Sequence, residues 1–456
     1  MSESSNGEGT GTHVVTAFLR NGGKILLLRR SDAVGTYTGQ WGGVSGFAEA
    51  EPEEQVWTEI REETGLEDDV SPVRSGRPVE FTDPDLEREW VVHPSLFDCG
   101  DPDVELSEEH DAFEWVPPTE IIDPESDRET VPKLWTAYER VAPTVRSIAA
   151  DDEHGAASLS IRALEVLRDR AGLLVAERAE SEATPSPRNG ERGIREQGDD
   201  PEGERDELAE LAGRLLEARP SMAVLRNRVN RAMAEADEYS TDDAVDASAI
   251  LESTLAGIDR ALEADAEAAA TAADLIDGPV ATLSRSGTVL EALRGGDPTR
   301  AFVSESRPAR EGVAVAEELA DDLAVTVHTD AAAAHVLASE DVDRVVVGAD
   351  AIRPDGAVVN KTGTRALAIA AAREGVPVTV VAATDKISTR EEVNLESGNR
   401  SAVYDGDAAI DVVNPTFDVT PADCVDEVAT ERGRLESGDV ADVAEELREL
   451  EAWRDA

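Results

Sequence analysis

Residues Trp41–Leu66 read WGGVSGFAEAEPEEQVWTEIREETGL, and the second half of this stretch is punctuated as a helix. Pro52 suits a first turn, Glu51, Glu53 and Glu54 favour the positive end of the helix dipole, and Gly65 supplies a stop. On that helix Glu59, Glu62 and Glu63 stand at i, i+3 and i+4. At about 100° per residue they share one arc about 100° wide. Val56 and Ile60 occupy the adjoining arc and are expected to pack inward. Three carboxylates this close repel one another unless a divalent cation lies among them. Oxygen ligands suit Mg2+ or Mn2+, which can hold a pyrophosphate and activate water. The same spacing also describes a solvated acidic helix, and in so acidic a chain that reading competes.

The acidity is general. The 456 residues, enough for about three folding units at roughly 150 each, carry 98 acidic side chains against 43 basic ones, a net charge of −55. Such a field repels phosphate backbones and argues against direct nucleic-acid binding. Lys24, Lys133, Lys361 and Lys386 are the only lysines. Abundant Asp and Glu, scarce Lys and 4% aromatics resemble a halophilic protein adapted to molar salt. There the screening length shrinks to about 3 Å and surface repulsion costs little. Cys99 and Cys424 lie far apart, against a disulfide framework or a structural zinc. The opening MSESSNGEGTGTH lacks an apolar core and nowhere do 18 apolar residues run together, so a cytoplasmic protein without membrane contact is expected.

Three regimes follow along the chain. HVVTAFLR and KILLLRR flank Asn21-Gly22-Gly23 and read as a hairpin; EWVVHPSLFDC and AFEWV are further strands. Five of the six tryptophans fall here, so residues 10–145 are read as an α+β domain, a mixed sheet between helices, with its own core. Residues 150–275 turn helical, with a polar, Pro- and Gly-rich stretch at about 181–206 read as a flexible insertion. From 276 to 456, PVATLS, AFVSES, AVTVHT, VDRVVVGA and VPVTVVAAT alternate with helices. They predict a parallel α/β, Rossmann-like sheet covered on both faces.

The glutamate helix resembles the Nudix box. Thr58-Glu59-Ile60-Arg61-Glu62-Glu63-Thr64-Gly65-Leu66 matches its later half except at Thr58, where the box has an arginine that braces the glutamates. Upstream, Val44 falls where the box has Gly and Ala50 where it has Glu. The resemblance implies Mg2+ or Mn2+ on Glu59, Glu62 and Glu63, all three also catalytic candidates. It further implies hydrolysis of a nucleoside diphosphate linked to another moiety, with His110 near an auxiliary acid or base position.

In the carboxy-terminal half, polar text follows four strands: Thr282–Thr288, Glu305–Pro308, Gly348-Ala349-Asp350 and Asn360–Thr364. Strand ends of parallel sheets collect sites. The Ser-Gly-Thr and Thr-Gly-Thr turns offer backbone N–H groups to phosphate, and Lys361 and Arg307 offer charge. A buried Asp350 would serve as acid, base or hydroxyl acceptor. Ordinary helix caps would give the same text. AFVSESRPAREG, VDRVVVGADAIRPDGAVVNKTGT and NPTFDVTPADCVDEVATERG resemble the translation initiation factor 2B alpha/beta/delta family, over about 150–456. That family includes ribose-1,5-bisphosphate and methylthioribose-1-phosphate isomerases. The resemblance implies Asp350 as the catalytic acid or base and Ser284, Arg285, Ser286, Arg307, Asn360 and Lys361 as ligand-binding residues.

The isomerases carry a His-Cys pair where Leu283-Ser284 stand here, and an Arg-Gly pair where His154-Gly155 stand. A serine hydroxyl replaces a thiol poorly without an added base. The expected function is therefore a Nudix hydrolase fused to a domain that binds a sugar phosphate or nucleotide without isomerising it. The alternatives are a sugar-phosphate isomerase with a regulatory Nudix domain, or a non-catalytic regulatory scaffold. The resemblance also implies a homo-oligomer formed through the carboxy-terminal domain, and contact with translation factors. Cys424 is expected in the core of a late helix, and His93, His328 and His335 in structural roles.

Overall fold

The computed structural model describes residues 11–48, 51–151, 154–183, 201–240 and 245–455. Ala50 and residues 184–200 of the expected insertion lie outside the described residues. Two compact units are present. One comprises the described parts of Met1–Ile148, Glu165–Glu210 and Asp237–Thr254; the other comprises those of Ala149–Leu164, Leu211–Ala236 and Leu255–Ala456.

The amino-terminal unit is built on strands β1 (Thr12–Asn21), β2 (Lys24–Arg30), β3 (Trp41–Gly42), β4 (Val44–Phe47), β5 (Val70–Ser75), β6 (Val79–Asp83), β7 (Arg88–Cys99) and β8 (His110–Val116). The expected hairpin is β1–β2, with Gly22 and Gly23 at positive φ. Among the described strands β1 and β7 pair in parallel and the other strand pairings are antiparallel, so the sheet is mixed. Alternation along the strands divides the core by face. Val15, Ala17, Leu19, Leu26 and Leu28 pack with Val56 and Ile60 of helix α1 (Pro52–Thr64), and Phe18, Ile25 and Leu27 pack with Leu134 and Tyr138 of α2 (Leu134–Glu139).

Helices α3 (Val145–Ala150), α4 (Ala156–Ala183), α5 (Pro201–Ala218), α6 (Ala223–Ala234) and α7 (Ala247–Ala273) follow. Residues 181–183 and 201–206, assigned to the flexible insertion from composition, are helical ends instead. Pro201 opens α5 with Glu202 and Glu204 in its first turn, which outweighs the local polarity. Within the first unit, buried Arg168 of α4 donates to the Gly23 carbonyl, and Arg20 of β1 bonds Glu165 at 2.9 Å.

The second unit carries strands β9 (Asp277–Leu283), β10 (Asp297–Ser304), β11 (Val325–His328), β12 (Arg344–Gly348), β13 (Ala351–Ile352), β14 (Val358–Lys361), β15 (Val378–Val381), β16 (Phe417–Thr420), β17 (Glu427–Thr430) and β18 (Gly433–Leu435). The main sheet runs β11-β10-β9-β12-β15-β17-β18, parallel throughout except the last pair. Its edge strand β11 is four residues long, with Val327 45% exposed. Helices α10 (Ala333–Ser339), α11 (Thr364–Glu374) and α12 (Ser437–Glu449) cover one face. Helices α7, α8 (Gly287–Gly295) and α9 (Glu311–Leu319) cover the other.

Strand β14, expected in this sheet, forms a separate antiparallel sheet with β13 and β16. The turn Arg353–Gly356 folds it back on β13 before any crossover can form. Cys424 is half-buried in a short 3-10 turn, where a core helix was expected. Among the described residues no helix is long and apolar enough to cross a membrane.

Candidate functional site

Helix α1 runs Pro52–Thr64 and is capped by Gly65, whose N–H donates to the Arg61 carbonyl and whose φ of 72° turns the chain out of the helix. Val56 and Ile60 are buried as expected. With that pair fixing the inward direction, the helical period sets Glu63 about 40°, Glu59 about 80° and Glu62 about 140° from it. The environments follow this order. Glu63 is 3% exposed, Glu59 is half-buried, and Glu62 has a side chain 64% exposed, 3.5 Å from Arg61. The expected glutamate trio is thus divided, with Glu59 and Glu63 together and Glu62 turned outward.

Strand β4 receives the inner pair. The Ser45 N–H donates to Glu63 Oε2 at 3.0 Å. A side chain on Gly46 would place its Cβ 2.1 Å from the Glu59 carboxyl carbon, so glycine is what lets Glu59 lie on the strand. Gln55 Nε2 donates to Glu59 Oε1 at 2.6 Å. Burial drives the Glu63 carboxyl well above its usual pKa; the Ser45 amide and Arg30 oppose this, and Glu59 and Glu109 add to it. Thr58 carries no charge, and the cation acting on Glu63 is Arg30, at the end of β2. Burial, then Arg30, lowers His110 to about 4, leaving its imidazole uncharged at neutral pH. Its Nδ1 is buried with no hydrogen-bond partner.

Among the described residues no three acidic, His or Cys side chains stand ready to hold a metal ion. The inner pair still fits one in kind. Both donors are carboxylate oxygens, and a buried acid crowded by two further carboxylates is relieved by an added cation. Mg2+ is commonly held by one or two carboxylates together with substrate phosphates and water.

The second cluster lies at the ends of β9, β10 and β12. Ser284 has φ 62°, donates its N–H to Ser306 Oγ at 2.7 Å, and donates its hydroxyl to Glu311 Oε2 at 2.6 Å. Lys361 Nζ donates to Glu311 Oε1 at 2.9 Å. Asp350 follows β12. Burial raises its pKa; Lys386 and Lys361 pull it down, and Glu396 and Glu311 push it up. The turn bearing Lys386 is anchored by α6: Asn227 Nδ2 donates to the carbonyls of Asp385 and Ile387, and Arg228 and Arg231 pair with the buried Asp385 carboxylate.

Of the residues expected to bind ligand, Ser284, Lys361 and Asp350 belong to this cluster. Arg285 is exposed, and Arg307, with a side chain 63% exposed, pairs with Glu305 at 3.2 Å. Ser286 caps α8, and Asn360 Nδ2 donates to Thr364 Oγ1 at 3.0 Å. The phosphate seat expected at Thr362-Gly363-Thr364 is filled from within. Asp418 accepts from the N–H groups of Gly363 at 2.8 Å and Arg365 at 3.1 Å. Glu311 and Asp418 carried no local signal. Lys386 did, as one of only four lysines.

Comparison with known proteins divides the chain into two family regions. A NUDIX domain model matches residues 10–135, and the Initiation factor 2 subunit family model matches 152–437. A ribose 1,5-bisphosphate isomerase of Haloterrigena turkmenica is 32% identical over 67% of this chain and 93% of its own length. A methylthioribose-1-phosphate isomerase of Pseudomonas aeruginosa is 38% identical over 35% of this chain and 48% of its own length. The crystal structure of a Pyrococcus horikoshii translation initiation factor eIF-2B matches with a TM-score of 0.50 and 27% identity, over 64% of this chain and 94% of that one. The chain belongs to the Initiation factor 2 subunit family and carries a NUDIX domain ahead of the family region.

Proposed function

We propose that the NUDIX domain, residues 10–145, hydrolyses a nucleoside diphosphate linked to another moiety, using Mg2+ or Mn2+. Residues 150–456, a helical part and a Rossmann-like part, bind a sugar phosphate or nucleotide. The observation that carries the first half is the buried Glu63 carboxyl, bonded to the Ser45 amide and crowded by Glu59 and Glu109. A divalent cation bound there would offset these charges and polarise a phosphoryl oxygen. Glu63 and Glu59 hold that position from one side, Gln55 fixes the Glu59 carboxylate, and His110, uncharged in the fold, brings no competing positive charge. Glu62, exposed on the same arc of α1 and about 60° from Glu59, is the third proposed ligand and catalytic carboxylate.

Phosphate release from a panel of nucleoside diphosphate conjugates, with Mg2+ and molar salt, tests this reading. Wild type should turn over at least one substrate and Glu63→Gln should not. Equal release from both on every substrate refutes it.

One observation favours a second reading for the carboxy-terminal domain. Glu311 stands 2.6 Å from Ser284 Oγ, a base beside the residue that replaces the isomerase cysteine. Conversion of ribose 1,5-bisphosphate to ribulose 1,5-bisphosphate, lost in Asp350→Asn, would establish isomerisation. A homo-oligomer and translation-factor contact remain proposals drawn from the family, tested by solution mass and by co-purification.

A further inference from the structure

The ends of β9 and β10 form a tightly specified cradle. Ser284, Ser306 and Arg310 all adopt positive φ without being glycine, a cost of order 1–3 kcal/mol each that persists where surroundings over-determine the backbone. Asp330 accepts from the Ser306 and Arg307 N–H groups at 2.8 and 2.7 Å. A Cβ on Gly312 would fall 1.9 Å from the Ser304 carbonyl oxygen, so α9 starts hard against β10. These constraints aim Glu311, the first residue of α9, at Ser284 and Lys361.

The result is one carboxylate spanning two donors. Each Glu311 oxygen takes one of them, the Ser284 hydroxyl at 2.6 Å and the Lys361 ammonium at 2.9 Å. Two oxygens of a phosphoryl group would take the same pair, with a charge-assisted bond to the lysine. The surrounding charge leaves little room for a dianion beside that carboxylate. Lys361 is already paired with Glu311, and Asp350 feels Lys386 and Lys361 as attractive charges and Glu396 and Glu311 as repulsive ones.

We propose that Glu311 guards the phosphoryl seat of this domain: its carboxylate holds Ser284 and Lys361 until a ligand with further contacts at Asp350 displaces it. The proposal rests on the reading that this domain binds a phosphorylated ligand. Glu311 is then a specificity residue. A free anion offers nothing beyond the two bonds the carboxylate already makes, so it stays out. A sugar phosphate adds hydroxyl contacts and enters. A counter-ion that travels with the chain also keeps small solvent anions from filling the seat.

Calorimetric titration of the full chain with ribose 1,5-bisphosphate and with inorganic phosphate, at matched salt, tests this. Wild type should bind the sugar bisphosphate and show no heat with inorganic phosphate. E311Q should bind the sugar bisphosphate about tenfold tighter once a like charge leaves the seat, and should now take inorganic phosphate. K361M in the E311Q background should lose both. Glu311→Ala reads the same quantity should E311Q fold poorly, as judged by thermal melting. Sugar bisphosphate binding that is unchanged or weaker in both Glu311 variants overturns the guard while leaving the binding reading intact. Absence of binding in every variant removes the binding reading, and the guard with it.

Discussion

Replacing Glu165 by alanine tests whether the second half of α4 is an integral part of the amino-terminal unit. Arg20 is 7% exposed and bridges Asp98, at 2.8 Å through Nε and 2.6 Å through Nη2, and Glu165, at 2.9 Å through Nη1. The Glu165 side chain is 2% exposed, against 31% for Asp98. Burial works against the Arg20 charge, yet Glu165 and then Asp98 hold its pKa above the usual arginine value. Removing one partner of a buried pair costs about 3–5 kcal/mol, because the other charge stays buried and under-compensated. Asp98 remains, so the lower end applies, about 3 kcal/mol. For a unit of this size that is a fall of roughly 6–12 °C in midpoint.

Tryptophan fluorescence during urea unfolding is the assay, since five of the six tryptophans lie between Trp41 and Trp135. Glu165→Gln keeps an acceptor and should lose about half as much. Both losses should persist in molar salt, which screens surface pairs but not buried ones. A loss below about 1 kcal/mol, the range of exposed pairs, would refute the assignment.

Three further outcomes are expected. Gly46→Ala should push Glu59 off β4, abolishing hydrolysis and weakening divalent-ion binding while circular dichroism stays native; full activity would contradict the cradle. The His110 imidazole is neutral in the fold, so its contribution to stability is full above pH 6.5 and lost as pH falls toward about 4. Denaturation of wild type and His110→Gln across that window should show their difference shrinking by roughly 3 kcal/mol, and a constant difference would contradict it. Asp418→Ala strips the N–H acceptors at the start of α11 and should cost about 1–2 kcal/mol by calorimetry; an unchanged melt would mean the cap is dispensable.

Legibility from sequence followed the range of the interactions. Helix α1 was readable because Pro52, Gly65, Val56 and Ile60 act within a turn or two of one another. The parallel strands were readable because each is a short β-branched run. The outward turn of Glu62 was not, because the inward direction is fixed by packing against β1, β2 and β4. Asp418 meets Gly363 across 55 positions and Glu311 meets Lys361 across 50, separations at which no local pattern survives. Strand β14 was placed in the wrong sheet for a related reason. An apolar run shows that a strand is buried without showing which neighbour it pairs with.

Strand β11 has a consequence for handling the protein in bulk. It borders the parallel sheet with a row of unclaimed amides and carbonyls, the kind of margin on which a stray polypeptide can crystallise into a ladder. At four residues it offers a newcomer few ladder bonds. Brevity here does the protective work that charged side chains or a covering loop perform on longer borders.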